Sequence, residues 1–531
     1  MAIERVIIKN YRVLKDVDIK FNENLNIIVG NNECGKSTLI EAINLALSGQ
    51  INNRYIQYEL HPFLFNIDAI NDYINNIKTG VRAQPPKIFI EIYFKKDDSL
   101  AILRGINNSL KEDTPGVCFA IELDDNYRAE FAKYVKDSEK LQTIPIEYYA
   151  IKWNSFAFSG VSSRNIPIKP TLIDASAVKH GPAAGKYVLE IIKDNLSSEE
   201  QSQLSLSYRN MKDLFMKDHA IEKINKKLSF GKGSISNKKL SISLDTTSRA
   251  NWENSIMPQL NEIPLPLVGK GEQSSLKINL AIESTTDSHL YLIEEPENHL
   301  SFSNLHPLIK MISEKSSDKQ LIITTHSSFV LNKLGIENVI LFNNNKNMTL
   351  RELDPDTHDY FMKLPGHDTL RLILAKKAIL VEGPSDELIV QKAFLKKHHC
   401  TSLEKSCDII SVQSLAFKRF LKISAILNIC TTVITDNDGH YQKIKDKYKD
   451  FLDYDFIKIC VDDDDACTTL EPQLFKANDL EKLNSIFEKN FDNKEELLSY
   501  MSNNKTDCAL KIFNSKTDIN FPVYIDDAVH E

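Results

Sequence analysis

Residues 3–8 form a short strand-like run and residues 17–21 alternate apolar with polar, on either side of Lys9-Asn10-Tyr11-Arg12, and this pattern predicts a hairpin. A compact apolar run at 25–29 ends in Gly30. Beyond Gly35-Lys36 the apolar positions Leu39, Ile40, Ala42, Ile43, Leu45, Ala46 and Leu47 fall at helical spacing, so the segment reads as strand, glycine loop, helix. Further strand-like runs occupy 88–94, 117–123 and 144–151. From 170 to 260 the chain is richer in Lys, Glu and Ser at helical spacing, and Ser197-Ser-Glu-Glu200 has the form of a helix start, which predicts an inserted helical region. Short apolar runs at 290–293, 321–324 and 339–342 have the pattern of buried strands in an α/β sheet, as does 378–381 after the Leu364-Pro365-Gly366 break. The sequence contains no internal repeat or low-complexity tract.

The fold class predicted is α/β, in two to four domains, since 531 residues with 42 % apolar and 26 % charged leave room for several cores. A net charge of −8 removes the histone-like and polybasic membrane-binding classes, so any nucleic-acid site has to be a local patch helped by metal ions. Lys-rich pieces at 223–239 and 443–449 read either as phosphate contacts or as solvated helix faces. The eight cysteines are scattered without a Cys-x-x-Cys pair, which argues against a zinc ribbon and against a disulfide framework. The N-terminus enters a strand pattern directly, without a basic segment leading into an apolar one, and no stretch reaches ~18 uninterrupted apolar residues. A cytoplasmic protein with no membrane partner is expected.

Candidate chemistry begins at Gly30-Asn31-Asn32-Glu33-Cys34-Gly35-Lys36-Ser37-Thr38, a complete phosphate-binding loop pattern between strand and helix. The glycines let backbone N–H groups curl round a β-phosphate, Lys36 reaches the β- and γ-phosphates, and the Ser37 hydroxyl ligates Mg²⁺. Alone, the same pattern also describes a glycine turn before a buried helix. Downstream, an apolar strand ends in Glu294-Glu295-Pro296-Glu297, which places Glu294 to hold a metal through water and Glu295 to polarise an attacking water; taken by itself the acidic run also reads as a solvated loop. Another strand ends in Thr325-His326-Ser327, so His326 either senses a γ-phosphate or serves as a cap. Between them, Gly269-Lys270-Gly271-Glu272-Gln273 aims a glycine turn at a helix N-terminus. This ordered set resembles the ABC-type ATPase heads of the structural-maintenance and recombination-repair class. The resemblance implies two heads sandwiching ATP, with Gly269, Gly271 and Gln273 serving the nucleotide of the opposite subunit. Val268 stands where many relatives carry a serine that contacts the γ-phosphate, a departure that bears on hydrolysis and not on binding. The Q-loop glutamine has two candidates, Gln57 and Gln84.

A second acidic set lies in the last third of the chain. The segment 378–387 runs from an apolar strand through Glu382-Gly383-Pro384-Ser385-Asp386 into a helix, and a later strand ends in Asp436-Asn437-Asp438-Gly439. Aspartates at i and i+2 share one side of an extended backbone, and two acidic strand ends meet at the carboxyl edge of a parallel sheet. Converging carboxylates repel, so Mg²⁺ or Mn²⁺ is implied, and phosphoryl transfer by a pair of hard metals is the natural chemistry. Each segment by itself is also an ordinary turn. Together they resemble a Toprim domain, and an ABC head followed by a Toprim domain resembles the OLD (overcoming lysogenization defect) family of bacterial nucleases. That resemblance implies that Glu471, after Thr468-Thr469-Leu470, completes a second metal site and that Lys505, with Lys511 close by, is the catalytic lysine. Residues 462–465 read as a solvated acidic loop.

The organisation implied is an ABC head at 1–170 and 241–363, a helical dimerisation insertion at 171–240 and a Toprim nuclease domain at 364–531. The function implied is a metal-dependent DNA endonuclease controlled by ATP and acting in anti-phage defence, similar to effectors of Gabija or OLD-type retron systems. Its partners would be DNA, a second copy or a tetramer of the chain, and a helicase or a reverse transcriptase with its RNA–DNA product. The rival is an ATP-dependent DNA clamp or sensor in which the Toprim domain is only scaffold. A topoisomerase would need a nucleophilic tyrosine, and none of the 18 tyrosines has a context that singles it out.

Overall fold

The computed structural model describes all residues except 53, 136–141, 175–187, 190–191, 194–195, 230–239, 246, 248–250, 285–288, 316–318, 344–345, 365, 367, 413–415 and 531. The chain is mixed α/β, as its pattern predicts, and divides into two compact units, Met1–Pro167 with Ile322–Glu531, and Ile168–Leu321. Among the described residues no helix is long and apolar enough to cross a membrane. All eight cysteines are free thiols, and Cys34, Cys407, Cys460, Cys467 and Cys508 are buried.

In the first unit the predicted hairpin is present: Ile3–Tyr11 pairs antiparallel with Leu14–Lys20 and, on its other side, with Ile88–Phe94. Thr114–Leu123 and Tyr149–Ser155 extend this antiparallel sheet. The last strand starts later than the run 144–151 predicts. Pro145, which lacks an N–H for a ladder, caps a short 3₁₀ turn at Ile146–Tyr148, and pairing begins only at Tyr149. Leu25–Val29, buried along its whole length, runs parallel to Val339–Asn343. The helix Lys36–Ser48 that follows the glycine loop buries eight side chains. Trp153 Nε1–H donates to the Ala46 carbonyl at 3.0 Å and so fastens that helix to the antiparallel sheet.

The same unit holds a second, fully parallel sheet of four strands, ordered Cys407–Ser411, Lys377–Val381, Cys430–Ile434, Ile457–Cys460. Parallel strands present their carboxyl ends along one edge, here at Glu382, Val412, Thr435 and Val461. One face is covered by the helix Pro384–His398 and the C-terminal helices Lys505–Asn514 and Val523–Ala528, which share one apolar cluster with the strands. Two further helices, Pro355–Lys363 and Thr369–Leu374, tie this sheet to the nucleotide-loop part of the unit. Thr369 Oγ1–H donates to Asn332 Oδ1 at 2.7 Å with both side chains fully buried. Phe361 packs edge-on against Phe420 at 5.3 Å, and Lys422 bonds Asp354 at 2.7 Å.

The second unit is described by a parallel pair, Pro170–Asp174 with Leu290–Glu294, and by the helices Lys270–Ser284, Phe302–Lys315, Ser198–Met216 and His219–Ser229. The helix start read at Ser197 is a full capping box, with Ser197 and Glu200 bonded reciprocally. Helix Ser198–Met216 buries none of its side chains and exposes Leu204, Met211, Leu214 and Phe215. Residues 230–239 of the lysine-rich piece 223–239 lie outside the described residues.

Thr369→Val keeps the shape of the side chain but removes the buried donor to Asn332. The expected cost is about 1–3 kcal/mol, read as a lower denaturation midpoint, and an unchanged midpoint would show that this bond does not hold the two parts together.

Candidate nucleotide and metal sites

At the glycine loop, sterics explain the two glycines. A Cβ on Gly30 would overlap the Phe342 carbonyl oxygen, and Gly35 has φ +101° with Leu14 and Val13 packed against it. Lys36 is buried, and its ammonium group donates to the carbonyls of Gly30 at 2.9 Å and Asn31 at 3.1 Å. Asn31, Asn32 and Ser37 are exposed and Thr38 is half-buried. His326 is exposed as well. Its chain position is set by Thr325, whose N–H reaches the Ile28 carbonyl at 3.3 Å, and by Ser327, which caps the helix Ser328–Leu334. Gln57 and Gln84 are both exposed; Gln84 lines a cavity of about 770 Å³ together with Tyr73, Arg82, Lys87, Arg128 and Phe131.

Gly269, Gly271, Gln273, Glu294 and Glu295 belong to the second unit. Gly269 is exposed, Gly271 sits against the His299 carbonyl, and Gln273 closes the first helical turn by donating its side-chain amide to Val268 O at 2.7 Å. Among the described residues the buried Gln273 Oε1 and Ser274 Oγ have no hydrogen-bond partner. Glu294 ends its strand opposite Asp174. Glu295 takes a left-handed φ of 43°, and its carboxylate accepts a bond of 2.6 Å from Asn298.

The parallel sheet gathers the second acidic set. Glu382 Oε1 accepts two hydrogen bonds, from Thr435 Oγ1 at 2.6 Å and from the Asp436 N–H at 3.1 Å, which joins positions 54 residues apart. Asp386 Oδ2 accepts the Gly383 N–H at 3.1 Å. Glu471, 5 % exposed, forms an ion pair with Lys505 at 3.1 Å and accepts from Thr469 Oγ1 at 2.8 Å. Burial, then the charges of Glu382 and Glu471, push Asp386 up to about 6. Burial, then Glu382, Asp386 and Glu471, push Asp436 further, to about 8, with Lys505 acting the other way. Lys505 is itself raised: burial lowers it, but Glu471, Asp436 and Asp386 together outweigh that. The structure therefore brings Glu382, Asp386, Asp436, Glu471 and Lys505 together.

Asp438 corrects the geometric premise of the Asp-x-Asp reading. The strand ends at Ile434, and Asp438 has φ 50° and is exposed, so the two aspartates do not sit on an extended backbone. The turn is imposed by Asn437, which is fully buried. Its amide donates to the carbonyls of Asp462 at 3.1 Å and Asp464 at 2.9 Å, and its Oδ1 accepts the Gly439 N–H at 2.9 Å. The segment 462–465 is thus an ordered partner of the turn, further fixed by the Lys476–Asp464 pair at 2.7 Å. Sequence reasoning passed over Thr435, Asn437 and Tyr524. The first two carry a signal, a polar residue at a buried strand tip and an Asx turn. Tyr524, whose hydroxyl donates to Gln473 and which burial and the nearby carboxylates hold well above the usual phenol range, carries none.

Among the described residues no group of three or more His, Cys, Asp or Glu side chains stands ready to hold a metal. The donor set is nevertheless all oxygen and electrostatically overloaded, the condition a hard divalent cation relieves. Glu382 Oε2 receives no hydrogen bond from the described residues.

A phosphate-binding loop on a mixed head, followed by a parallel sheet with acidic strand ends, defines a two-part P-loop protein. Residues 5–321 match the AAA domain model, and residues 373–438 match the model for the TOPRIM domain of overcoming lysogenization defect protein-like proteins. The chain belongs to the AAA domain family, and its residues 373–438 are similar to the TOPRIM domain of overcoming lysogenization defect protein-like proteins. It is 22 % identical over 464 residues to Endonuclease GajA of Bacillus cereus (strain VD045), covering 84 % of this chain and 76 % of that protein. It is 52 % identical over 69 residues to the DNA replication and repair protein RecF of Acetivibrio thermocellus, covering 13 % of this chain. The chain spans about a fifth of the length of the RecF proteins it matches. Among solved structures, an Smc head bound to the C-winged helix domain of ScpA is 16 % identical, covering 66 % of this chain and 99 % of that chain with a TM-score of 0.36.

The raised Asp436 makes a pH prediction for metal-free protein. A carboxyl whose folded value rises from 3.8 to about 8 costs stability as pH climbs through that window, because the unfolded chain ionises first. In chelator, Asp436→Asn should gain on the wild type by several degrees of melting temperature at pH 8 relative to pH 5. An equal difference at both pH values would contradict it.

Proposed function

We propose that the protein is an ATP-regulated, divalent-metal-dependent endonuclease that hydrolyses DNA phosphodiesters, in the cytoplasm and in anti-phage defence. The observation that carries this reading is the gathering of Glu382, Asp386, Asp436 and Glu471 around Lys505 at the carboxyl edge of the parallel sheet. The likeness to Endonuclease GajA over most of both chains supports it. Glu382, Asp386, Asp436, Asp438 and Glu471 would hold Mg²⁺ or Mn²⁺. Bound there, a pair of such ions supplies an activated water and stabilises the leaving oxygen. Lys505 then offsets charge developing on the scissile phosphate.

In the head, Gly30, Asn31, Asn32, Gly35, Lys36, Ser37 and Thr38 cradle ATP and its Mg²⁺. Lys36 exchanges its two carbonyl acceptors for phosphate oxygens. Glu294, Glu295 and His326 serve the γ-phosphate side, and Gly269, Gly271 and Gln273 the nucleotide of a second copy. Homodimers or homotetramers form through the heads and through the 171–240 insertion, whose helix Ser198–Met216 leaves Leu204, Met211, Leu214 and Phe215 uncovered. A helicase, or a reverse transcriptase with its RNA–DNA product, is the partner class this reading implies.

One observation favours the clamp reading: Glu471 is already paired with Lys505 at 3.1 Å. A plasmid assay separates the two. Supercoiled DNA is incubated in Mg²⁺ or Mn²⁺, with and without ATP, with wild type, with Asp436→Ala plus Asp438→Ala, and with Lys36→Ala. Loss of outer partners alone costs roughly 10–100-fold at metal sites, so the double aspartate variant should lose more than that. Lys36→Ala should abolish the ATP effect and nucleotide binding while still cutting. A wild type that binds DNA and ATP but cuts nothing under any condition is a clamp.

A further inference from the structure

Resting on the metal-site reading above, we propose that Thr435 is a positioning residue for Glu382: its hydroxyl fixes one carboxylate oxygen so that the other faces an incoming divalent cation. Thr435 follows the strand Cys430–Ile434 and is 3 % exposed. Its N–H donates to the Cys460 carbonyl at 3.3 Å, which ties this backbone position to the neighbouring strand. From that anchored position Oγ1–H reaches Glu382 Oε1 at 2.6 Å, while a second oxygen, the Asp436 carbonyl, lies at 3.4 Å. A hydroxyl has one proton, and the shorter contact to a carboxylate is the stronger bond.

Two consequences follow from the doubled donation at Oε1. The Asp436 N–H at 3.1 Å and the Thr435 hydroxyl together stop the Glu382 carboxylate from rotating. They also leave Oε2 as the oxygen that receives no bond from the described residues. A carboxylate with one oxygen tied and one open is the arrangement in which outer hydrogen bonds orient a metal ligand. The Asp436 N–H is backbone and survives any side-chain change. Thr435 is therefore the one donor of the pair that a substitution can remove.

The test is Mn²⁺ binding to the full chain without DNA, followed by the electron paramagnetic resonance of free Mn²⁺ and by calorimetry. Thr435→Val keeps the shape and loses the hydroxyl; its Mn²⁺ affinity should fall roughly 10–100-fold. Thr435→Ser restores the hydroxyl without the methyl and should bind within a few-fold of the wild type. In a Glu382→Gln background Thr435→Val should cause no further loss. Equal affinity of Thr435→Val and wild type overturns the inference, as does a Thr435→Ser variant as weak as Thr435→Val, because packing would then set the site. The Ser comparison holds even where Thr435→Val melts too low to titrate. A wild type that binds no Mn²⁺ at all overturns the metal-site reading itself, a result distinct from either of these.

Discussion

Parallel strand pairing is the constraint on which the acidic site depends. Four strands running the same way deliver their carboxyl ends to a single edge, so residues far apart in sequence arrive together without any loop having to fold back. The hydrogen bond from the Asp436 N–H to Glu382 is the direct product of that alignment, because Lys377–Val381 and Cys430–Ile434 are adjacent strands in register. The helices then finish what the sheet starts. Glu471 comes from the first turn of Leu470–Ala477 and Lys505 from the first residue of Lys505–Asn514, both packed on the same apolar cluster.

Gathering acids in this way is costly, and the structure shows how the cost is distributed. Asp386 and Asp436 are raised, Glu471 is neutralised by Lys505, and Glu382 is held by two donors. The turn after the strand is shaped by Asn437, whose amide uses both of its N–H donors to bind the carbonyls of Asp462 and Asp464 and whose oxygen accepts the Gly439 N–H. The nucleotide loop uses a different economy. There, close packing against the Phe342 carbonyl and a left-handed backbone demand glycine at two positions, and the lysine is satisfied by carbonyls of its own loop.

How far the sequence was legible varies with the range of the interaction. Local periodicity was enough for the hairpin, the loop at Gly30–Lys36 and the apolar runs at 290–293, 321–324 and 378–381, all of which are strands or strand–helix junctions. The run at 144–151 was misplaced by a proline whose missing donor outweighs the apolar pattern. The extended Asp-x-Asp was misread because the buried amide of Asn437 makes bonds to a segment 25 residues away, which no local rule contains. Glu471 and Lys505 were reached through family resemblance, since nothing in the spacing of two helix starts says that they form an ion pair. Tyr524 and Thr435 act only through contacts that exist after the sheet has formed.

The Lys505–Glu471 pair also settles what kind of chemical group the lysine is. Its proton is held more tightly than in a free lysine, despite burial, by three carboxylates. Raised from its ordinary value, the ammonium group contributes positive charge to the site and not a vacancy for a proton. In the proposed hydrolysis Lys505 would then be a hydrogen-bond donor and not a base, and the proton of an attacking water would pass to one of the oxygens around it.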